Sequence, residues 1–264
     1  MTAEEPRWPY DLLGDLYDDD MGKNAPGHDV AFYVEAARAA GESTLELGCG
    51  TGRITLPLVR AGLRVTGVDR SHPMLDALQS KALRELSEAE RGRLRVARMD
   101  MREVSLSERF DSVLCPYSAF TYLQTEDDRA RALASVRAHL APGGAVLLDV
   151  FVPDPAVSAQ PGDFTAVDYQ RERADGTLLE RSRRIKKDVE PHINLIERHY
   201  RVLDPSGNEL VSFTTESRIR YWFPEELCRE LESHGFEVLE TLLDFGRQVP
   251  GERAKMAAFR CRAD

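Results

Sequence analysis

Apolar positions along the first 150 residues recur with two alternating periods. From Gly27 to Gly41, Val30, Phe32, Tyr33, Val34, Ala36, Ala37 and Ala40 predict a helix with one broad apolar face. Ser43–Leu47 predicts a short buried strand, which runs into the cluster Gly48-Cys49-Gly50-Thr51-Gly52. Arg53–Gly62 then has helical spacing closed by a glycine, with Pro57 late enough to predict an irregular helix. The rhythm repeats: a strand at Arg64–Val68 ending at Asp69, a helix at Pro73–Leu86 with Met74, Leu75, Leu78 and Leu83 inward, and a strand at Leu94–Arg98 ending at Met99-Asp100. A strand at Phe110–Cys115, a helix at Asp127–Leu140, a turn at Pro142-Gly143-Gly144 and a strand at Ala145–Phe151 complete it. Strands alternating with helices of these lengths predict a parallel, doubly wound sheet.

Between about Pro153 and Phe223 the helical period disappears. Extended stretches punctuated by Ala174-Asp175-Gly176, Glu190-Pro191 and Asp204-Pro205-Ser206-Gly207-Asn208 predict an antiparallel meander of about four strands. Pro224 with Glu225 and Glu226 opens a helix that Gly235 closes, and Phe236–Leu243 and Ala254–Cys261 predict a closing hairpin. The expected fold class is α/β: a Rossmann-like doubly wound sheet with an antiparallel C-terminal hairpin and an inserted antiparallel β-meander. Residues 1–152 and 223–264 are expected to form the core, and residues 153–222 the insert.

Length fits this division, since 264 residues suit one large domain with an insertion better than two full-size domains. The 45 acidic against 35 basic side chains, net −10, argue against a sequence-independent grip on nucleic acid or an anionic membrane. Cys49, Cys115, Cys228 and Cys261 lie far apart without nearby histidines, so neither a disulfide framework nor a metal site is signalled. The acidic stretch Met1–Tyr10, broken by Pro6 and Pro9, lacks the marks of a signal peptide, and no apolar run approaches bilayer-spanning length. A cytoplasmic location is expected.

Three glycines at alternate positions between a strand and a helix let the backbone turn sharply and approach a ligand closely. Asp69, ending the next strand, is placed to accept hydrogen bonds from ribose hydroxyls. A nucleoside ligand follows. Dinucleotide folds favour Gly-x-Gly-x-x-Gly; here the third glycine comes one residue sooner, and Glu46 would repel a diphosphate but attract a cationic amino group.

The run Leu45-Glu46-Leu47-Gly48-Cys49-Gly50-Thr51-Gly52-Arg53 resembles the first signature of the class I S-adenosylmethionine-dependent methyltransferases. Val65–Asp69 with Ser71 and Met74, Met99-Asp100-Met101, Phe110–Val113, Leu140–Gly144 and His234-Gly235-Phe236 resemble later landmarks of that family in order. The resemblance implies S-adenosyl-L-methionine as cofactor. It sets the Gly48–Gly52 backbone against the methionine part, Glu46 near its amino group, Asp69 on the ribose, Met74 against the adenine, Asp100 on the adenine amino group and the Met101 backbone beside it. Cys49, Arg70 and Pro116 complete the expected cofactor contacts, and the lid-like stretch Tyr10–Asp18 adds Tyr17, with Tyr10 second.

Methyl transfer needs proximity and desolvation more than a dedicated base. The segment Cys115–Tyr122 occupies the place where the family meets methyl group and acceptor, and Tyr117 and Ser118 are placed to orient an amine or hydroxyl. It lacks the Asn-Pro-Pro-Tyr type sequence of nucleic-acid amino methyltransferases. The insert resembles that of amino-sugar and peptide N-methyltransferases, where it roofs a small-molecule acceptor or forms a homodimer contact. Alternation puts His192, Asn194, Ile196, Arg198 and Tyr200 on one strand face and His199 on the other, with His199 and His192 candidate bases. The basic stretch Arg171–Lys187 is either a solvated face or a site for an anionic acceptor. Two other readings stay open: a nicotinamide-dependent oxidoreductase and a non-catalytic S-adenosylmethionine-binding module.

Overall fold

The computed structural model describes residues 8–14, 16–21, 27–154, 162–190, 192–249 and 251–263, the side chains of residues 188 and 189 excepted. Met1–Arg7, and Pro191 of the expected Glu190-Pro191 turn, lie outside the described residues. In chain order, α1 (Leu16–Met21) and α2 (Asp29–Ala40) precede β1 (Ser43–Leu47), α3 (Thr55–Arg60), β2 (Arg64–Asp69), α4 (His72–Glu85), α5 (Glu88–Arg91) and β3 (Leu94–Arg98). Then follow β4 (Phe110–Cys115), α6 (Glu126–His139), β5 (Leu140–Phe151), the strands β6 (Asp163–Glu172), β7 (Leu178–Glu190), β8 (Ile193–Leu203) and β9 (Glu209–Arg220), α7 (Pro224–Ser233), β10 (Phe236–Leu243) and β11 (Met256–Ala263).

The main sheet has the order β10, β11, β5, β4, β1, β2, β3. Its five central and edge strands from β5 to β3 are parallel, while β11 runs antiparallel between β5 and β10. Successive strand residues point to opposite faces, so Val113 and Leu148 join one buried layer while their neighbours Leu114 and Leu147 join the other. Burial of each such side chain contributes about 1.5–3 kcal/mol relative to exposure. Chain order reverses between β1 and β4, which opens a crevice at the carboxyl ends of those strands.

The second sheet, β6-β7-β8-β9, is the expected antiparallel meander of four strands. Three boundaries depart from the sequence reading. The helix after the glycines starts at Thr55 because Arg53 and Ile54 complete the loop's turn, and Pro57 then sits in the first helical turn, where its missing N–H costs nothing. Leu140 already pairs with Phe110 before a register shift, so Ala141–Gly144 is an irregularity within β5 instead of a turn before it. The last strand begins at Met256 because Asp244 Oδ1 accepts the N–H groups of Lys255 and Met256 and holds the chain outside the ladder until there. Among the described residues no helix is long and apolar enough to cross a membrane.

Candidate functional site

A cavity of about 130 Å³ occupies the crevice beyond β1 and β4. Its floor is Gly48, Gly50, Asp69 and Met74, its side Met99–Arg102, and its roof Trp8, Tyr10, Tyr17, Pro116, Tyr117, Ala119, Tyr122 and Leu123, with Arg70 at the rim.

The three glycines have different tasks. All have positive φ, +70° at Gly48, +52° at Gly50 and +88° at Gly52. A Cβ on Gly48 would stand 3.2 Å from that of Ala119, so the loop after β4 approaches here closely. A Cβ on Gly50 would meet nothing within 4 Å and would project into open space beside the cavity. Gly52 serves packing, since a Cβ there would fall 2.1 Å from Leu78 Cδ1 on α4. Gly52 therefore does not line the cavity, and neither does Cys49, which is buried against Gly67 of β2.

Asp69 holds the loop from below. Its Oδ2 accepts from Gly50 N at 2.9 Å and its Oδ1 from Ser71 N at 2.9 Å. Burial raises its carboxyl above the ordinary value, against the opposing effect of these backbone donors. Asp100 faces the other way: burial alone would raise it, but hydrogen bonds from Arg102 Nε at 3.0 Å and Nη2 at 2.7 Å outweigh this and hold it below the usual carboxylate range. It is thus an ionised acceptor at the cavity wall. Arg70 lies over the Trp8 ring at 4.4 Å and 3.9 Å from Asp100.

Glu46 is 2% exposed and lies beneath the glycine loop, outside the cavity lining. Thr55 Oγ1 donates to it at 2.6 Å, yet burial pushes its carboxyl up to about 8. Because the folded value exceeds the ordinary one, the native chain binds the extra proton, and stability contributed by this group falls as pH rises towards 8 and is gone above it. The expected result in urea unfolding is that wild type loses stability between about pH 5 and pH 8, about 1.4 kcal/mol per pKa unit at most, and that Glu46→Gln does not show this loss. Identical slopes in the two proteins would refute the assignment.

The loop after β4 is strained. Tyr117 and Ser118 both adopt left-handed backbone, φ 54° and 59°, a conformation that costs about 1–3 kcal/mol at such residues. Asp149 offsets the cost by accepting both of their N–H groups at 2.8 Å, and Tyr33 Oη donates to it at 2.6 Å. Burial pushes Asp149 up to about 6, with those three donors working against it. The turn presents the Tyr117 ring to the cavity, 4.9 Å from the Arg53 guanidinium, which Asp29 grips at 2.9 and 2.6 Å. Ser118 instead points inward: it is 2% exposed, and its hydroxyl accepts from Phe151 N at 2.9 Å.

The lid is fixed to both sheets. Asp18 of α1 accepts from Thr51 Oγ1 in the glycine loop at 2.6 Å and from Lys81 at 2.7 Å. Asp19 accepts from Arg173 at 2.7 Å, and Asp20, fully buried, accepts from Tyr200 at 2.8 Å and from Tyr169 and Arg181. Tyr10 and Tyr122 share a 2.7 Å hydroxyl hydrogen bond over the cavity, with the Tyr17 ring 5.7 Å from that of Tyr10. The basic stretch of the insert is therefore largely spent on internal partners: Arg184 pairs with Asp163, Arg183 with Asp168, and Arg171 donates to the Asp19 and Asp20 carbonyls. His199 lies on the exposed outer face of β8, bonded to Thr214, because alternation gives the inner face to Arg198 and Tyr200. His192 stacks on Tyr221, away from the cavity lining.

Sequence reasoning missed Trp8, Arg102 and Leu123 as cavity residues. A tryptophan two residues before the expected lid tyrosine was the available signal for Trp8. Arg102 and Leu123 gave none, since only the folded chain brings them to the wall.

The fold is that of S-adenosylmethionine-dependent methyltransferases of known structure, one from Clostridium acetobutylicum matching with a TM-score of 0.77, 18% identity and 96% of this chain and 98% of that chain covered. Residues 44–144 match the family described as a methyltransferase domain. Among relatives, cypemycin N-terminal methyltransferase of a Streptomyces species is 34% identical over 61% of this chain and 60% of that protein. The dTDP-3-amino-3,4,6-trideoxy-alpha-D-glucopyranose N,N-dimethyltransferase of Streptomyces venezuelae is 29% identical over 51% and 54%. The chain thus spans little more than half the length of these curated relatives. The CcbJ methyltransferase of Streptomyces caelestis has the same fold, with a TM-score of 0.79, 24% identity and 97% of each chain covered.

Proposed function

We propose that the chain transfers the methyl group of S-adenosyl-L-methionine to an amine nitrogen of a small molecule or peptide end. The observation that carries this is the joint lining of one cavity by the open Gly50 cradle, Asp69 closing β2 and Asp100 just beyond the neighbouring β3, and a tyrosine roof. When bound, the cofactor supplies an electrophilic methyl group on a sulfonium. Asp69 takes the ribose hydroxyls, Asp100 the adenine amino group, and Met74 packs on the ring. Tyr17 and Tyr117 turn aromatic faces towards a cation, and with the Tyr10–Tyr122 pair they exclude water, which strengthens electrostatics inside. Residues 1–152 and 223–264 hold the cofactor, and residues 153–222 roof the acceptor. The relatives' names favour nitrogen over oxygen, since they act on a peptide N-terminus and an amino sugar.

The nicotinamide alternative gains no support from the relatives. Incubation with radiolabelled cofactor and a panel of amines tests the proposal. Calorimetry should give micromolar binding of S-adenosylhomocysteine, with a Kd of about 1–100 μM. Clean absence of binding defeats the reading, and stabilisation by NAD alone would replace it.

A further inference from the structure

Arg171 on β6, Arg181 and Arg183 on β7 and Arg198 on β8 share the inner face of the insert. The register sets Arg183 directly opposite Arg198. Like charges so placed destabilise an antiparallel ladder unless an opposite charge intervenes. Among the described residues, two acids form ion pairs with Arg181 and Arg183. Asp20 takes Arg181, while Asp168 takes Arg181 at 2.7 Å and Arg183 at 3.1 Å.

Arg198 forms no ion pair among the described residues. Its hydrogen bond is a long one, Nη1 to Ser217 Oγ at 3.3 Å, which leaves most of its donors unspent. It is half-buried beside the phenols of Tyr122 and Tyr10, which line the cavity. Thr215, opposite it on β9, and Ser217 are both 3% exposed, so only neutral hydroxyls flank it there. A cation desolvated without a partner is costly, and the cost is relieved when a ligand brings the missing charge.

We infer that Arg198 binds a carboxylate of the acceptor, so that the substrate is an amine carrying an acid group. This rests on the methyltransferase reading and names its substrate class. Arg198 itself brings one positive charge with no ion-pair partner among the described residues, which a monoanion balances. The planar guanidinium matches a planar carboxylate through two parallel hydrogen bonds. A phosphate monoester, with a charge near −2, would set a second negative charge beside Asp20 and Asp168.

The test is calorimetric titration of the full chain with phenylalanine, phenylalaninamide and phosphoethanolamine, with and without saturating S-adenosylhomocysteine. Phenylalanine is expected to bind wild type about tenfold more tightly than its amide. In Arg198→Met the difference should vanish, and in Arg198→Lys, which keeps the charge but loses the fork, it should fall to about threefold. Arg198→Met is expected to melt no lower than wild type, because an apolar side chain replaces an unpaired cation. Equal binding of acid and amide by wild type, no binding of phenylalanine, a preference that survives in Arg198→Met, tightest binding of phosphoethanolamine, or a large drop in Tm each overturns the inference. Failure of S-adenosylhomocysteine to bind would undo the methyltransferase reading alone, since the titrations without it still decide on Arg198.

Discussion

Asp69→Ala is expected to weaken S-adenosylhomocysteine binding about a hundredfold while the chain stays folded. Hydrogen bonds from neutral hydroxyls to a carboxylate contribute about 1.5–3 kcal/mol each, and the ribose offers two. The carboxylate also organises the cradle, because it accepts the Gly50 and Ser71 N–H groups at 2.9 Å each. Burial raises its carboxyl against the pull of those backbone donors, so further donors brought by a ligand favour the ionised form. Asp69→Asn keeps the shape and one oxygen, and should lose about tenfold. Calorimetry on the three proteins reads the effect, with thermal melting as the check on folding. An alanine variant that binds as tightly as wild type removes Asp69 from the ribose and, with it, the orientation of the cofactor in the cavity.

That Gly48, Gly50 and Asp69 line one cavity was legible in the sequence because it is local. Gly48, Gly50 and Asp69 belong to two strand ends whose neighbourhood follows from the parallel-sheet rhythm, so spacing alone places them together. Even within the loop, however, spacing does not say which glycine faces a ligand. The Gly52–Leu78 contact depends on how α4 packs, and the inward turn of Ser118 depends on Asp149, which lies 31 residues on. The insert was legible as a meander but not in its chemistry. Alternation sorted β8 into two faces correctly, yet which face meets the cavity depends on docking against the lid, so His199 fell outside. The basic stretch looked available for an anion because two of its acids, Asp19 and Asp20, are about 150 residues away in the chain. Among the described residues Arg198 is left without an ion pair, and it has no sequence signal of its own.

That pairing makes Asp20 the most consequential lid residue. It is fully buried and takes the hydroxyls of Tyr169 and Tyr200 together with Arg181, so three donors of the insert converge on one carboxylate of α1. Asp20→Ala would leave both phenols without this acceptor and Arg181 with Asp168 as its remaining carboxylate. Removing one partner of a buried charge pair costs about 3–5 kcal/mol, and the surviving Asp168 contact argues for the lower end. The expected result is a fall of several degrees in Tm and faster proteolytic cleavage within residues 8–21, together with weaker S-adenosylhomocysteine binding, since Tyr10 and Tyr17 ride on the same segment. Tyr200→Phe, which removes one hydroxyl and keeps the ring packing, should cost only about 1 kcal/mol and leave cleavage slow. If Asp20→Ala melts and binds like wild type, the lid is held by apolar contact between Leu13, Met74 and the tyrosines, and the charged latch is incidental.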